Sequence, residues 1–247
     1  MRSDRLHELV TPHSFEKQHQ VPMLKAIIFD CDGVIANTEP IHMEAFGRVL
    51  AEEGLTLTRE TYFAEYLALD DRSCFEKAFS NFDDQIATKD VDELIRRKAR
   101  YVGTVLQGGV QILPGAGELI RLAANRYPLA IASGALRAEI ESVVNSGGLA
   151  DCFKVIVSAE DVLRSKPYPD PFLKALELIN SNSIESINPE ECLVIEDSIH
   201  GIRAAHQASM RCLAVTNSYP KEKLAEAELV VDSLVVLSLN ELERLFN

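Results

Sequence analysis

The sequence predicts an α/β fold: a parallel sheet with helices on both faces, and a small all-helical unit inserted after the first strand. Three observations carry this. Short apolar runs and helical patterns alternate along most of the chain, as repeated strand–helix units do. The first run, Ala26-Ile27-Ile28-Phe29, has no polar face, which suits a strand buried on both sides. From about 39 to 107 the alternation stops, and helical patterns follow one another with no comparable strand run.

The strand candidates are 24–29, 128–132, 154–157, 192–195, 212–215 and 229–231. Helices are expected between them at 115–126 after Pro114, 135–146 after Ser133-Gly134, 170–180 after Lys166-Pro167-Tyr168-Pro169, and 199–208 after Asp197-Ser198. The inserted stretch reads as helices 40–53, 58–67, 71–80 and a charged 89–107, with Gly54 suited to a C-cap and Gly108-Gly109 to a return hinge. The expected organisation is a core of 23–38 and 108–247 and a helical cap of 39–107. The alternative is that these helices complete the layers of a single domain. Residues 1–22 are polar and carry His7, His13 and His19, whose six-residue spacing does not gather them on one helical face. A loosely held, catalytically dispensable extension is expected there.

The 247 residues are 47% hydrophobic and 26% charged, enough for a sizeable globular core. A net charge of −13 argues against a nucleic-acid surface or an anionic membrane as partner. An anionic substrate would need its charge met locally, by a metal or a few placed Lys and Arg. No stretch approaches about 18 consecutive apolar residues, and the N-terminus has no apolar signal core. The five cysteines form no Cys-x-x-Cys pair, so reduced thiols in a cytoplasmic protein are expected. Cys31 reads as a small apolar filler rather than a catalytic thiol, because its two acidic neighbours would oppose a thiolate.

The chemistry concentrates at strand ends, where open α/β sheets place their ligands. The first run ends in Asp30-Cys31-Asp32-Gly33. Two carboxylates so close repel each other unless a cation or a shared proton intervenes. Asp30 is a candidate nucleophile or metal ligand and Asp32 a general acid/base; the simpler reading is a turn. Strand 128–132 ends in Ser133-Gly134, which can cradle a phosphate at a helix N-terminus or simply cap the helix. Lys166, flanked by prolines, is either a held ammonium or a solvated loop lysine. Strand 192–195 ends in Glu196-Asp197-Ser198, a second acidic pair or a helix cap. Together these oxygens suit Mg²⁺, which also binds substrate phosphate.

Four motifs in this order make the chain resemble the haloacid dehalogenase superfamily over about residues 23–247: Asp30-Cys31-Asp32-Gly33-Val34, Ile131-Ala132-Ser133-Gly134, Lys166-Pro167, and Glu196-Asp197-Ser198 with Gly201. The resemblance implies a Rossmann-like core, an inserted helical cap, Mg²⁺ and an aspartyl-phosphate mechanism. Asp32 places the chain with the phosphoryl-transfer members. The segment Gly33–His42 resembles the β-phosphoglucomutase-like branch, which implies a hinge role for Thr38, a cap role for His42, and a cap arginine matched by Arg72. That branch carries a polar Ser-Lys-Asn-like run after its serine; here Ala135-Leu136-Arg137 stands instead, and Leu136 cannot hold a phosphate.

The expected catalytic set is thus Asp30, Asp32, Ser133 and Lys166. Gly33, Thr38, His42, Arg72, Gly134 and Arg137 are expected around the substrate. Asp30, Asp197 and the Asp32 carbonyl are expected on Mg²⁺, with Glu196 adjacent. The expected function is a phosphatase of a small phosphorylated metabolite; the alternatives are a sugar-phosphate mutase and a non-enzymatic binding protein that keeps only the fold. A monomer or weak dimer is expected.

Overall fold

A computed structural model describes residues 22–67, 69–80, 90–181 and 183–247. The expectation for the N-terminal extension and its three histidines lies outside these residues. Six parallel strands, β1 (Ala26–Phe29), β2 (Leu129–Ala132), β3 (Val155–Val157), β4 (Cys192–Glu196), β5 (Arg211–Val215) and β6 (Leu229–Val231), form one sheet in the order β3-β2-β1-β4-β5-β6. Phe29 stands opposite Ile131 on one side and Ile195 on the other. The chain winds outward from β1 to β3, then crosses back beside β1 and winds the other way. The crevice at that reversal, beyond the carboxyl end of β1, is where such sheets bind ligands.

Alternate strand residues feed opposite layers, as the two-residue repeat requires. Ile27, Phe29, Leu129, Ile131, Leu193 and Ile195 pack with α5 (Ala116–Ala124), α6 (Arg137–Ser146) and α9 (Leu239–Arg244). Ala26, Ile28, Ala130, Ala132 and Val194 pack on the other face with α7 (Asp170–Ser181) and α8 (Ile199–Gln207). Burying each large apolar side chain stabilises the fold by about 1.5–3 kcal/mol. Observed strand and helix ends agree with the apolar patterns to within two residues, with β4 and β5 each one residue longer than expected. Helix α9 was not anticipated, although Ser238-Leu239-Asn240-Glu241 is a capping box whose Ser238 hydroxyl accepts from the Glu241 N–H.

Helices α1 (Glu39–Glu52), α2 (Arg59–Glu65), α3 (Asp71–Ser80) and α4 (Val91–Leu106) pack around their own aromatic cluster, separate from the two that flank the sheet. Phe46 sits at its centre, with ring centroids 4.9 Å from Phe75 and 5.4 Å from Tyr66. The two segments that lead into and out of these helices run side by side. Ala36 bridges Ile112 in antiparallel fashion, and Leu113 donates to the Ile35 carbonyl at 2.9 Å. Helix α4 also packs against α6, which closes a cleft over the strand ends.

Candidate active site

Asp30 is the first residue after β1, and its N–H bonds the Ile195 carbonyl of β4 at 2.9 Å. This ties the carboxyl to the sheet. Lys166 reaches in from the loop after β3; its ammonium donates to Asp30 Oδ1 at 2.5 Å and Glu196 Oε1 at 2.7 Å. The ammonium also lies 5.0 Å from the centroid of the Phe172 ring, which favours a cation. Burial opposes the charge on Lys166, but Asp30 and Glu196 together hold it firmly protonated. Burial, with Glu196 and Asp32 adding repulsion, pushes the Asp30 carboxyl up to about 8 against the opposing pull of Lys166.

Glu196 ends β4 and is almost wholly buried. Its Oε2 accepts from the Asp197 N–H, the Ser198 N–H and the Ser198 hydroxyl, each at 2.9 Å. Gly201 is what admits this carboxylate: a Cβ there would lie 1.9 Å from Glu196 Oε1. Gly33 does the same for Asp197. It has φ +75°, and a Cβ would lie 1.9 Å from Asp197 Oδ2.

Asp32 is held from three sides. The Thr38 hydroxyl donates to Oδ1, the Ser133 hydroxyl to Oδ2 at 3.1 Å, and His42 Nε2 lies 3.4 Å from Oδ1. Burial works against its carboxylate, yet His42, Thr38 and Ser133 hold it below the usual carboxylate range. Thr38 occupies the N-cap of α1 but spends its hydroxyl on Asp32 rather than on the helix. Ser133 is not a helix cap either. Helix α6 starts at Arg137 with Leu136 as N-cap, and Ser133 Oγ accepts from the Ala135 N–H at 3.1 Å.

Asp30, Glu196 and Asp197 each bring a carboxylate oxygen within 4.8 Å of the others, all buried. Burial, with Glu196 and Asp30 adding repulsion, raises Asp197 well above the usual range, and the Ser218 hydroxyl opposes this only in part. Three buried acids face one ammonium. An oxygen-only donor set with excess negative charge fits a hard divalent cation. Four hydrogen bonds already engage Glu196, so its larger contribution to such a site is charge and the orientation of Lys166.

These residues line a cleft of about 140 Å³ between the strand ends and α1–α4. Its lining includes Asp30, Asp32, His42, Ser133, Gly134, Lys166 and Asp197. Arg72 and Arg137, expected around the substrate, are not brought there. Arg72 is 53% exposed and paired with Asp92 and Glu76 on the outer side of the helical unit. Arg137 bonds Asp161 at 2.7 Å and the Ile156 carbonyl at 3.1 Å, bracing the turn after β3. Sequence reasoning missed Lys98, Asp71 and Glu139, all of which line the cleft. Lys98 donates to Asp71 at 2.5 Å and lies 2.9 Å from His42 Nδ1. The signal was present: Leu94, Lys98, Val102 and Leu106 form one stripe of α4, and a lysine in an apolar stripe is a buried charge that needs partners.

Residues 27–215 match the family described as haloacid dehalogenase-like hydrolase. The chain belongs to that family. Among curated relatives of this hydrolase, Protein CbbY from Rhodobacter capsulatus is 32% identical over 205 residues, covering 80% of this chain and 88% of the relative. Fructose-1-phosphate phosphatase YqaB from Escherichia coli is 31% identical over 189 residues, covering 76% of this chain and 95% of the relative. Among solved structures, β-phosphoglucomutase from Clostridium difficile superposes with a TM-score of 0.80 at 26% identity, covering 91% of this hydrolase and 98% of that chain. Among the described residues no helix is long and apolar enough to cross a membrane.

Proposed function

We propose that this hydrolase is a Mg²⁺-dependent phosphatase that cleaves a small phosphate monoester through a phosphorylated Asp30. The observation that carries the reading is the grouping of Asp30, Lys166, Ser133 and Asp32 at the sheet's reversal point, all facing one cleft. Asp30 Oδ attacks phosphorus, and the bond from phosphorus to the ester oxygen breaks. Asp32 gives that oxygen a proton, then takes one from the water that cleaves the Asp30–phosphate bond. The three donors on Asp32 favour its base form, the form the water step needs; the acid step requires the entering substrate to displace some of them. Lys166 keeps Asp30 aligned and, with Ser133, offers donors to phosphoryl oxygens. Asp30, Asp197 and the Asp32 carbonyl would hold Mg²⁺, with Glu196 adjacent. Bound there, the ion would neutralise phosphoryl charge and the repulsion within the acidic cluster.

A sugar phosphate lies within the reach of this reading, since a relative is named for acting on one. The mutase alternative draws support from the likeness to a β-phosphoglucomutase. It needs a second anion site, and the cleft supports that poorly. Among the described residues no arginine lines it, and its two lysines, Lys98 and Lys166, are each paired with carboxylates. Phosphate release from small esters with Mg²⁺ is the test. Activity should vanish on chelation and fall by at least about four orders of magnitude in Asp30→Asn. Conversion of β-glucose 1-phosphate to glucose 6-phosphate with little phosphate released would overturn the phosphatase reading.

A further inference from the structure

Glu139 stands in the third position of α6, and one of its oxygens has an ordinary task. Oε2 accepts from the Leu136 N–H at 3.1 Å, the reciprocal half of a helix cap. The other oxygen has none. Glu139 is 6% exposed, and its Oε1 is fully buried without any hydrogen-bond partner. A buried acceptor left unmade keeps its desolvation cost uncompensated, and helix capping needs only one oxygen. The residue lines the same cleft as Asp30 and Asp32. Burial pushes its carboxyl up, while His42 and Lys98 draw it back toward the charged form.

The surroundings bear on what Oε1 awaits. Glu39, Asp70 and Asp71 line the cleft with Glu139. Each of those three has its donor already: Glu39 accepts from the Tyr62 hydroxyl at 2.5 Å, Asp70 from the Ser73 N–H at 2.9 Å, and Asp71 from Lys98 at 2.5 Å. The cleft lining therefore sets these four acids against Lys98 and His42, and among the described residues that line it Glu139 Oε1 is the buried acceptor that is unmet. A second phosphate would meet repulsion there. A hydroxyl or ammonium would meet an acceptor.

We propose that Glu139 Oε1 is a specificity determinant that accepts a hydrogen bond from the leaving group, selecting monophosphates whose alcohol portion carries a hydroxyl or amine and rejecting bisphosphates. This rests on the phosphatase reading and narrows it. The substrate is then a monoester of a polyol or amino alcohol.

Four esters of one length test it with Mg²⁺ present: butyl phosphate, 4-hydroxybutyl phosphate, 4-aminobutyl phosphate and butane-1,4-diyl bisphosphate. The wild-type enzyme should favour the hydroxyl or the amino ester over butyl phosphate by at least about tenfold in kcat/KM, and should turn over the bisphosphate worst. Whichever of the two is favoured identifies the donor. In Glu139→Gln the amide keeps an oxygen for the Leu136 N–H but presents a donor where Oε1 stood. That preference should therefore shrink about tenfold, mainly through KM, with the melting temperature nearly unmoved. A residue that only caps α6 would leave the ratio of esters as it was. Equal use of the first three esters by the wild-type enzyme, or a preference that survives in Glu139→Gln, overturns the assignment and leaves the phosphatase reading intact. Hydrolysis of none of the four, nor of any simple aryl phosphate, overturns the phosphatase reading and the assignment with it.

Discussion

Glu196 performs two tasks with two oxygens: one steers Lys166, the other gathers three donors at the start of α8. That double use makes its neighbour Gly201 critical. In Gly201→Ala the new methyl would overlap the carboxylate, so Glu196 and Lys166 must both shift. We expect kcat to fall by about 10²-fold, the scale of an ångström-sized misplacement, with a smaller change in KM. Steady-state kinetics beside a thermal melt separates this from simple unfolding. Arg72 is the contrasting case. Its ion pairs are exposed, and such pairs contribute about 0–1 kcal/mol. Arg72→Ala should leave KM within about twofold of wild type and stability within about 0.5 kcal/mol. A large rise in KM would show that the arginine reaches the substrate after all.

At the scale of elements, the turn after β3 illustrates how a charge serves architecture. Asp161 accepts from the Ser158 N–H and hydroxyl, each at 2.7 Å, and pairs with Arg137. Burial opposes its charge, but these donors hold its carboxyl below the usual range. A depressed native pKa stabilises the fold above the unfolded-state value and loses that stabilisation as pH falls through the native one. Asp161→Asn should therefore be less stable than wild type above about pH 4, with the gap closing on further acidification, as urea unfolding at several pH values would measure. Within α1–α4, Phe75 is fully buried against Phe46. Phe75→Ala should cost about 3–5 kcal/mol in urea unfolding, since the cluster around it is small and cannot refill the space. Elements of this kind were largely readable from the chain. The six apolar runs all became strands, because apolar continuity is what burial on two faces requires. The strand ends likewise disclosed Asp30, Ser133, Lys166, Glu196 and Asp197, since polar residues there have nowhere to go but the crevice. Lys98 and Glu139 were harder to see. Each lies inside a helix whose surface charges outnumber it, and only the packing of α4 on α6 gathers them over the cleft. Arg72 misled because its position along the chain says nothing of which side of α3 it occupies.

For the molecule as a whole, the acidic cluster sets stability against readiness for a cation. Three buried carboxyls near one another destabilise the metal-free fold. Mg²⁺ at about 100 times its Kd should add about 2.7 kcal/mol, read as a rise in melting temperature. Asp197→Asn should melt above metal-free wild type, because it removes one like charge, and should lose the response to Mg²⁺. An unchanged Mg²⁺ response in that variant would remove Asp197 from the metal site. The paired segments at Ala36 and Ile112 bear on a different property. A single tether would let α1–α4 tumble over the crevice. Two lengths of backbone bonded edge to edge bend together but resist sliding past each other. Any rotation of the helical unit would have to turn about this paired backbone, like a door on its pin. A return about the same pin would set His42 back in the same place over Asp32, so alignment would be recovered instead of being searched for anew.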